Sequence, residues 1–387
     1  MYDFFMVEPF QLPFSQPAVD DLRQRLRQTR WPDAFLGIER SLGVNRDFLM
    51  DLCHYWINTF DWKLQLEGLA AFHHYRYQTK SGGIHFIHEK GKGRSPMPLI
   101  LTHGWPGSFI EMLDILPLLK DPGAHGHDAE DSFDLIIPSL PGFGFSDKPV
   151  NSGMNFFQIA DTWVELMDAL GYERFAVHGG DLGAGVSTAL GLRHGHRIVG
   201  IHLNYIPGSY RPYLPPDQSP TETEQSFMAS AARWFDENGA YAHVQGTRPQ
   251  TLAYALNDSP AGLAAWIVEK FREWSDCEQD VYRCFTRDKL LANITLYWMT
   301  QTISSSFGLY HESRKTPLRF GADDFVRVPC GIARFPKEIP LPPRVWVERG
   351  YNVQSWTEMP KGGHFAAAEQ PYLLAADIRA FFRTLRR

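Results

Sequence analysis

The segment that decides the fold is FAVHGGDLGAGV at residues 175–186. Its pattern predicts a buried β-strand that breaks sharply into a helix. Asp181 occupies the break, and Gly179 and Gly183 lie two residues to either side of it. Small residues at these two positions allow the backbone to turn tightly around a nucleophile. The segment therefore predicts a strand-to-helix corner with a carboxylate at its apex.

The acidic residue at the corner has two interpretations. As a nucleophile, a carboxylate with a pKa of about 4 is already ionised at neutral pH, whereas a serine must first lose its proton to a base. Such a carboxylate suits displacement at an sp³ carbon, which leaves an alkyl ester of the enzyme for a second step to hydrolyse. Alternatively, Asp181 only caps the helix that follows a glycine-rich turn. The other motifs of the chain decide between these interpretations.

Two further motifs accompany the corner. HGWPGS at 103–108 follows an apolar strand at 98–102, and GGHF at 362–365 lies near the C-terminus. The order along the chain is the corner aspartate, then an acid, then this histidine, as in an α/β-hydrolase. With these motifs the chain resembles the epoxide hydrolases of the α/β-hydrolase fold, specifically the microsomal type. The resemblance spans nearly the full length and includes TRWPD (29–33), IHFIHE (84–89), PSLPGFGFS (138–146) and NDSP (257–260).

The resemblance implies an α/β-hydrolase fold, a mostly parallel sheet flanked by helices with a helical lid inserted after the sixth core strand. The expected units are an N-terminal segment at 1–95 that wraps around the core and lid, the first part of the core at 96–209, the lid at 210–319 and the second part of the core at 320–387. The implied activity is hydrolysis of an epoxide to a vicinal diol, with water as co-substrate and with neither cofactor nor metal ion.

Composition agrees with a globular enzyme. The 387 residues are 44% hydrophobic and 14% aromatic, enough for a large core with appended modules. A net charge of −6 without blocks of like charge gives no face for nucleic acid.

Four scattered cysteines form no metal-ligand or disulfide pattern, which predicts a reducing, cytoplasmic setting. Residues 1–14 resemble neither a signal peptide nor a membrane anchor, and the sequence allows a homodimer.

Hydrophobic patterning predicts where the regular elements lie. Strands are expected at 84–89, 99–102, 133–138, 175–179 and 198–206, and they alternate with helices at 109–119 and 154–170, which indicates a parallel sheet. Two helices at 17–28 and 45–60 precede them. After the helix-rich insertion, strands are expected at 326–335, 344–347 and 353–359, followed by a final amphipathic helix at 371–385.

His364 is the expected base that deprotonates water in the second step, since it lies on a Gly-Gly loop where the family places its catalytic histidine. A histidine in this role needs a carboxylate to fix its tautomer and stabilise the imidazolium. The fold supplies that acid after the strand that follows the lid, which identifies Glu338. Asp323, Asp324 and Glu348 are the other acids nearby, and we expect them to be solvated loop charges.

Ester hydrolysis passes through an oxyanion, which two backbone N–H groups can stabilise. The expected donors are the amides of Trp105 and Leu182. Many relatives have Trp where this chain has Leu182, a change that keeps the backbone donor but alters the shape of the pocket. The side chains of Trp105 and Trp298 are expected to line the substrate pocket.

An epoxide oxygen leaves as an alkoxide, so ring opening at neutral pH requires a proton donor. A phenol with a pKa of about 10 is protonated at pH 7 and can serve as that donor. The resemblance assigns this role to Tyr241 and Tyr310 in the lid. Each could instead be ordinary lid packing, and Tyr254 and Tyr297 are the substitutes if the register differs.

Two other functions use related chemistry. A haloalkane dehalogenase shares the Asp and His but must solvate a halide with Trp or Asn N–H groups, and Leu182 removes one usual donor. A non-catalytic ligand receptor of the same fold has no need of Asp181, Glu338 and His364 together. A serine esterase is excluded because no serine occupies the corner. Detoxification and natural-product tailoring are both compatible with an epoxide hydrolase of this kind.

Overall fold

The computed structural model describes residues 7–33 and 42–386, and within them one mixed sheet forms the centre of the molecule. The strand order is β1-β2-β3-β5-β4-β6-β7-β8-β9. The strands are β1 (Val7–Pro9), β2 (His74–Thr79), β3 (Gly82–Glu89), β4 (Met97–Thr102), β5 (Phe133–Pro138), β6 (Phe175–Gly179), β7 (Ile198–Leu203), β8 (Val326–Arg334) and β9 (Tyr351–Glu358).

The direction of the strands determines where a site can form. β1, β2, β3 and β5 pair antiparallel in succession, whereas the pairs from β5 through β4, β6, β7 and β8 to β9 are parallel. The carboxyl ends of parallel strands meet at one edge, which is where ligands bind in α/β sheets. The loops after β4, β6, β8 and β9 carry Trp105, Asp181, Glu338 and His364, so all four residues belong to that edge.

Helices flank the sheet and extend beyond it. The first group is α1 (Gln16–Arg27), α2 (Arg46–Asn58), α3 (Trp62–Leu69), α4 (Leu116–Lys120), α5 (Phe156–Ala169) and α6 (Asp181–Arg193). Between β7 and β8 lie α7 (Glu222–Asn238), α8 (Ala240–Thr247), α9 (Pro249–Asp258), α10 (Pro260–Trp274), α11 (Arg287–Thr300) and α12 (Ile303–Lys315), which we call the lid helices. The last are α13 (Arg344–Glu348), α14 (Ala366–Glu369) and α15 (Pro371–Arg383).

Helix α6 is buried along most of its length. Its residues from Leu182 to Gly191 are all buried, and it packs on α5 and on strands β4, β6, β7 and β8. A helix that is covered all round needs small and apolar residues on every face, which explains its glycines and alanines. A Cβ on Gly185, for example, would lie 2.7 Å from the Phe156 ring.

Most predicted elements are confirmed to within three residues at each end. The strand predicted at 344–347 is wrong, because these residues begin helix α13. β8 and β9 are parallel, so the chain between them must cross over, and such connections usually contain a helix. The helix predicted at 109–119 divides into a 3-10 turn at Phe109–Met112 and the short helix α4. No helix in the described ranges is long and apolar enough to cross a membrane.

A buried ion pair fixes the start of the lid helices. Thr221 and Glu224 form a capping box at the N-terminus of α7, and the Glu224 side chain is fully buried. Arg349, directly after α13, donates to both carboxylate oxygens of Glu224, at 2.5 and 3.1 Å. This contact with Arg349 lowers the pKa of Glu224 and keeps the carboxylate ionised.

We predict that Arg349→Met lowers the free energy of unfolding by roughly 3 kcal/mol at pH 7, because it leaves the buried Glu224 charge unpaired. The matched control is Arg344→Met, which breaks the ion pair between Arg344 and Glu348. The side chains of these two residues are 52% and 42% exposed. That change should cost less than about 0.5 kcal/mol. Urea denaturation of both variants and of the unaltered protein measures these differences.

The Arg349→Met deficit should also depend on pH. Because the pKa of Glu224 is depressed in the folded protein, the pair stabilises it above the usual carboxyl pKa of 4.5, and the stabilisation disappears as the pH falls through the folded pKa. The deficit should therefore shrink below pH 4.5. A deficit no larger than that of Arg344→Met at pH 7 would contradict the assignment.

Candidate active site

The corner between β6 and α6 is as tight as the sequence predicts. Asp181 has a φ of 46°, in the left-handed region that few residues other than glycine adopt. A Cβ on Gly179 would lie 2.3 Å from the Gly183 carbonyl oxygen, and one on Gly183 would lie 2.0 Å from the carbonyl oxygen of Thr102. Only glycine fits at either position, so these contacts hold Asp181 in a strained conformation at the apex.

The loop after β4 covers one side of this carboxylate. The backbone N–H of Trp105 donates to Asp181 Oδ1 at 2.8 Å. Gly104 allows the close approach, because a Cβ there would lie 2.3 Å from the Asp181 Cβ. Asp181 is also the first residue of α6, where the helix dipole favours a negative charge.

His364 lies on the other side of the carboxylate and pairs with Glu338. Its Nε2 is 3.4 Å from Asp181 Oδ2, and its Nδ1 is 2.5 Å from Glu338 Oε1. The side chains of His364 and Glu338 are 3% and 0% exposed. Burial by itself would lower the pKa of His364, but the carboxylates of Glu338 and Asp181 outweigh it and hold that pKa well above 6.5.

Backbone contacts hold the His364 loop against the sheet and the lid. Lys337 N–H donates to the Gly362 carbonyl at 3.1 Å, which ties the loop of Glu338 to that of His364. His364 N–H donates to the carbonyl of Trp274, the last residue of α10, at 2.9 Å. His364 is therefore positioned partly by a lid helix.

A second carboxylate supports this loop and was not predicted from the sequence. Glu369 accepts the backbone N–H groups of Asp276, Gly363 and Phe365 at 2.8, 3.1 and 2.9 Å. Burial raises the pKa of Glu369 to about 7. No motif marks this residue. Its position five residues after His364 is the only sequence signal, and that spacing is too common to identify it.

Two tyrosines of the lid helices face the Trp105 loop. The rings of Tyr241 on α8 and Tyr310 on α12 are 6.0 Å apart, and both pack on the Trp105 indole, at 5.5 and 5.8 Å between centroids. Burial, followed by the nearby Asp181 carboxylate, raises the pKa of both phenols well above 10. Both therefore hold their protons at neutral pH.

A cavity of about 460 Å³ brings these groups together. Its lining includes Asp181, Leu182, Tyr241 and Tyr310, and its size is within the range of small-molecule sites. The cavity thus contains the carboxylate group of Asp181 and two protonated phenols. Together with the buried imidazole behind Asp181, this arrangement can attack an electrophilic carbon and protonate the group that leaves it.

The structure does not bring the other candidate residues to the cavity. Trp298 packs against the guanidinium of Arg25 on α1, 5.9 Å from the ring centroid. Its neighbour Tyr297 is buried instead and donates to the Gly107 carbonyl at 2.8 Å. Consecutive residues of a helix point in different directions, so only one of the two can face the core. Tyr254 is 71% exposed on α9.

The other acids near Glu338 also lie outside the site. Asp324 accepts the N–H of Gly321 at 2.7 Å in a surface turn, and Glu348 pairs with Arg344 on α13. Asp323 is exposed on the same turn as Asp324. Among the predicted acids, the structure brings only Glu338 to His364.

Comparisons with known proteins find similarity over nearly the whole chain. Residues 7–112 match the family model described as "Epoxide hydrolase N terminus", and residues 97–251 match the model of the alpha/beta hydrolase fold. Epoxide hydrolase 1 of Sus scrofa is 36% identical over 98% of this chain and 89% of its own.

Two solved structures resemble the chain over nearly its full length. The epoxide hydrolase of Aspergillus niger superposes with a TM-score of 0.84 at 28% identity, covering 98% of this chain and 96% of that one. The juvenile hormone epoxide hydrolase of the silkworm Bombyx mori superposes with a TM-score of 0.87 at 29% identity, covering 99% and 95%.

The packing of the corner predicts the effect of one added methyl group. Gly183→Ala should lower the free energy of unfolding by roughly 1–3 kcal/mol or more, because the Thr102 carbonyl belongs to a central strand and can move little. The control is Gly308→Ala, inside α12 with no heavy atom within 4 Å of the added Cβ. That change should stabilise the protein by about 0.5–1 kcal/mol. Urea denaturation measures both, and an unaltered stability of Gly183→Ala would contradict the described corner.

Proposed function

The chain belongs to the epoxide hydrolase family, and we propose on this premise that it converts an epoxide to a vicinal diol through a covalent ester on Asp181. The main support for the proposal is that the two oxygens of this carboxylate have different partners. Oδ1 accepts the Trp105 N–H, whereas Oδ2 faces His364. Oδ1 therefore has the donor that an ester carbonyl oxygen needs, and Oδ2, next to the imidazole, is the oxygen that attacks the substrate.

In the first step Asp181 Oδ2 attacks an epoxide carbon, and the bond from that carbon to the epoxide oxygen breaks. The developing alkoxide takes a proton from Tyr241 or Tyr310, which face the same cavity as Asp181. The raised pKa of both phenols ensures that they carry protons at neutral pH. The product of this step is a hydroxyalkyl ester of Asp181.

In the second step His364 takes a proton from water, and the resulting hydroxide attacks the ester carbonyl carbon of Asp181. Charge develops on Oδ1, where the N–H groups of Trp105 and Leu182 stabilise it. Collapse of this intermediate breaks the bond from the carbonyl carbon to the diol oxygen. That oxygen takes the proton of the newly formed carboxyl group, so the diol is released and the carboxylate is restored. The proton held by His364 then returns, by way of solvent, to the tyrosinate formed in the first step. Glu338 orients the imidazole and stabilises its protonated form.

The ester itself helps to prepare the base. In the free enzyme the Asp181 carboxylate is one of the groups that raise the pKa of His364. Esterification removes that negative charge, so the pKa of His364 falls and the neutral imidazole becomes available. The base is therefore released from its ion pair at the stage at which water must be deprotonated.

The remaining units have supporting roles in this proposal. We assign residues 210–319 to a lid that carries both tyrosines, and residues 1–95 to an N-terminal segment whose described part packs against the lid helices. A contact that supports this division is the pair between Arg25 Nη1 on α1 and Asp258 Oδ1 at the end of α9, at 2.6 Å.

We predict that His364→Gln separates the two steps. Alkylation still proceeds, because Asp181 needs no base, but water is no longer deprotonated. One equivalent of substrate should therefore remain attached to the protein and be visible in the mass of the intact chain. Asp181→Ala is the control and should show no adduct. Normal turnover by His364→Gln would require a different base and would contradict the role of this residue.

The lid tyrosines give a second prediction. Tyr241→Phe and Tyr310→Phe should each slow ester formation by roughly ten- to a thousandfold, and the double variant should lose nearly all of it. Tyr254→Phe, an exposed position on the neighbouring α9, should have no effect. Stopped-flow kinetics measures the rate of ester formation with an epoxide and with a matched haloalkane. The haloalkane is the comparison substrate, because a halide needs no proton to leave. Undiminished alkylation by the epoxide in the double variant would contradict the role of the tyrosines.

A further inference from the structure

Three arginines lie in the lining of the cavity that contains Asp181. They are Arg211, which follows β7, Arg314 on α12 and Arg319 in the segment between α12 and β8. Asp181 is the only acidic residue in that lining. Among the residues that the structure describes, none of the three arginines forms an ion pair with a carboxylate. The lining of the cavity therefore includes three arginines and, besides Asp181, no acid to pair with them.

Backbone contacts bring two of these arginines together. Arg211 N–H donates to the Leu318 carbonyl, and Phe320 N–H donates to the Arg211 carbonyl, both at 2.9 Å, so that Arg211 and Arg319 form an isolated β-bridge. Arg211 also donates from Nη1 to the carbonyls of Gly208 and Tyr210, at 2.9 and 2.7 Å. The guanidinium is thus held in place by neutral acceptors.

All three arginines are exposed to solvent, and Arg211 is affected by the positive charge of Arg319. Burial, followed by the charge of Arg319, lowers the pKa of Arg211. Like charges repel most strongly where solvent is partly excluded. A bound anion would relieve that repulsion and could accept hydrogen bonds from the planar guanidinium groups.

The third arginine connects this cationic cluster to the chemistry. Arg314 lies four residues after Tyr310 on α12, so both side chains are on the same face of the helix. Its Cδ approaches the backbone of Gly246 on α8, 3.3 Å from the place where a Cβ would lie. Arg314 is exposed, whereas Tyr310 is half-buried. The cluster therefore lies toward the solvent side of the cavity and Asp181 toward its interior.

Apolar side chains contribute to the lining as well. They include those of Phe156, Leu182, Phe235, Ala242 and Pro317. A ligand that fills the cavity therefore meets the Asp181 carboxylate, apolar side chains and the three arginines. Neutral hydrocarbon epoxides would leave the arginines without a partner.

We propose that the preferred substrates are epoxides that carry a carboxylate at the end of an apolar segment, with the carboxylate bound by Arg211, Arg314 and Arg319. This inference rests on the proposed function of Asp181 and specifies its substrate class. Phosphate and sulfate share the chemistry that guanidinium groups recognise, so the test includes them as separate arms. Arg314 and Arg319 are specificity residues in this account and take no part in the reaction steps.

The first experiment compares kcat/KM for terminal-epoxy alkanoic acids of increasing chain length with kcat/KM for their methyl esters. A charged hydrogen bond contributes about 1.5–3 kcal/mol, so the acid should be preferred by roughly tenfold or more. Arg314→Gln and Arg319→Gln should each remove most of that preference by raising KM for the acid, and should leave the ester unchanged. Arg233→Gln is the matched control, because Arg233 is an exposed residue of α7 that does not contribute to the cavity lining.

Epoxides of the same length that end in a phosphate or a sulfate identify the anion. Better turnover of either one than of the carboxylate would overturn the assignment of a carboxylate. Equal turnover of acid and ester, or equal losses on both substrates in the arginine variants, would overturn the cluster as a substrate site.

A binding experiment separates this inference from the proposed function. Decanoate contains no epoxide, and its binding is measured by calorimetry with the unaltered protein, with Arg314→Gln and Arg319→Gln, and with Arg233→Gln. Binding that both cluster variants weaken about tenfold supports the anion site even if no epoxide is hydrolysed. Conversely, turnover of a neutral epoxide such as styrene oxide together with no detectable binding of decanoate would support the proposed function and overturn this inference.

Discussion

The contact between Gly183 and the carbonyl oxygen of Thr102 determines where Asp181 lies. Because a methyl group would not fit between them, α6 can start directly against β4, and the turn into the helix places Asp181 at a φ of 46°. The same close approach brings the Trp105 N–H to Asp181 Oδ1. The position of Asp181, its contact with the Trp105 N–H and the approach of His364 to Oδ2 all depend on this close packing of α6 against β4.

Next to that contact, the charged groups of the site influence one another. Asp181 and Glu338 lie on opposite sides of the His364 imidazole, which stabilises its protonated form despite burial. Formation of the proposed ester would change this balance, since it removes the charge of Asp181 but leaves that of Glu338. The energetic link between the two steps of the proposed reaction is therefore electrostatic.

The sequence predicted the parts of the structure that depend on local motifs and on strand direction. Asp181, Trp105, Glu338 and His364 each follow a strand of a parallel sheet, so recognising the strands was enough to bring the four residues to one edge. Which side of a helix a given residue occupies was harder to predict from the sequence. Trp298 and Tyr297 are neighbours in the chain, and only their packing against Arg25 and Gly107 distinguishes them.

Other features depend on contacts between distant segments. α13 was mistaken for a strand because Arg344 to Val347 is a short run with two valines, and the parallel pairing of β8 with β9 is what requires a crossover there. Glu369 supports the His364 loop through backbone N–H groups that include that of Asp276, 93 residues earlier. The cluster of Arg211 and Arg319 likewise forms only when the two ends of the lid insertion pair.

The covalent role of Asp181 is the central claim, and a single turnover in ¹⁸O-labelled water tests it most directly. With enzyme in excess over an epoxide, the diol should contain no label, and one labelled oxygen should appear in the Asp181 carboxylate, found by mass spectrometry of the peptide that contains it. The water oxygen enters the protein because hydroxide attacks the ester carbonyl carbon. Label found in the diol after one turnover, with an unlabelled Asp181, would mean that water attacks the epoxide directly, and it would contradict the account.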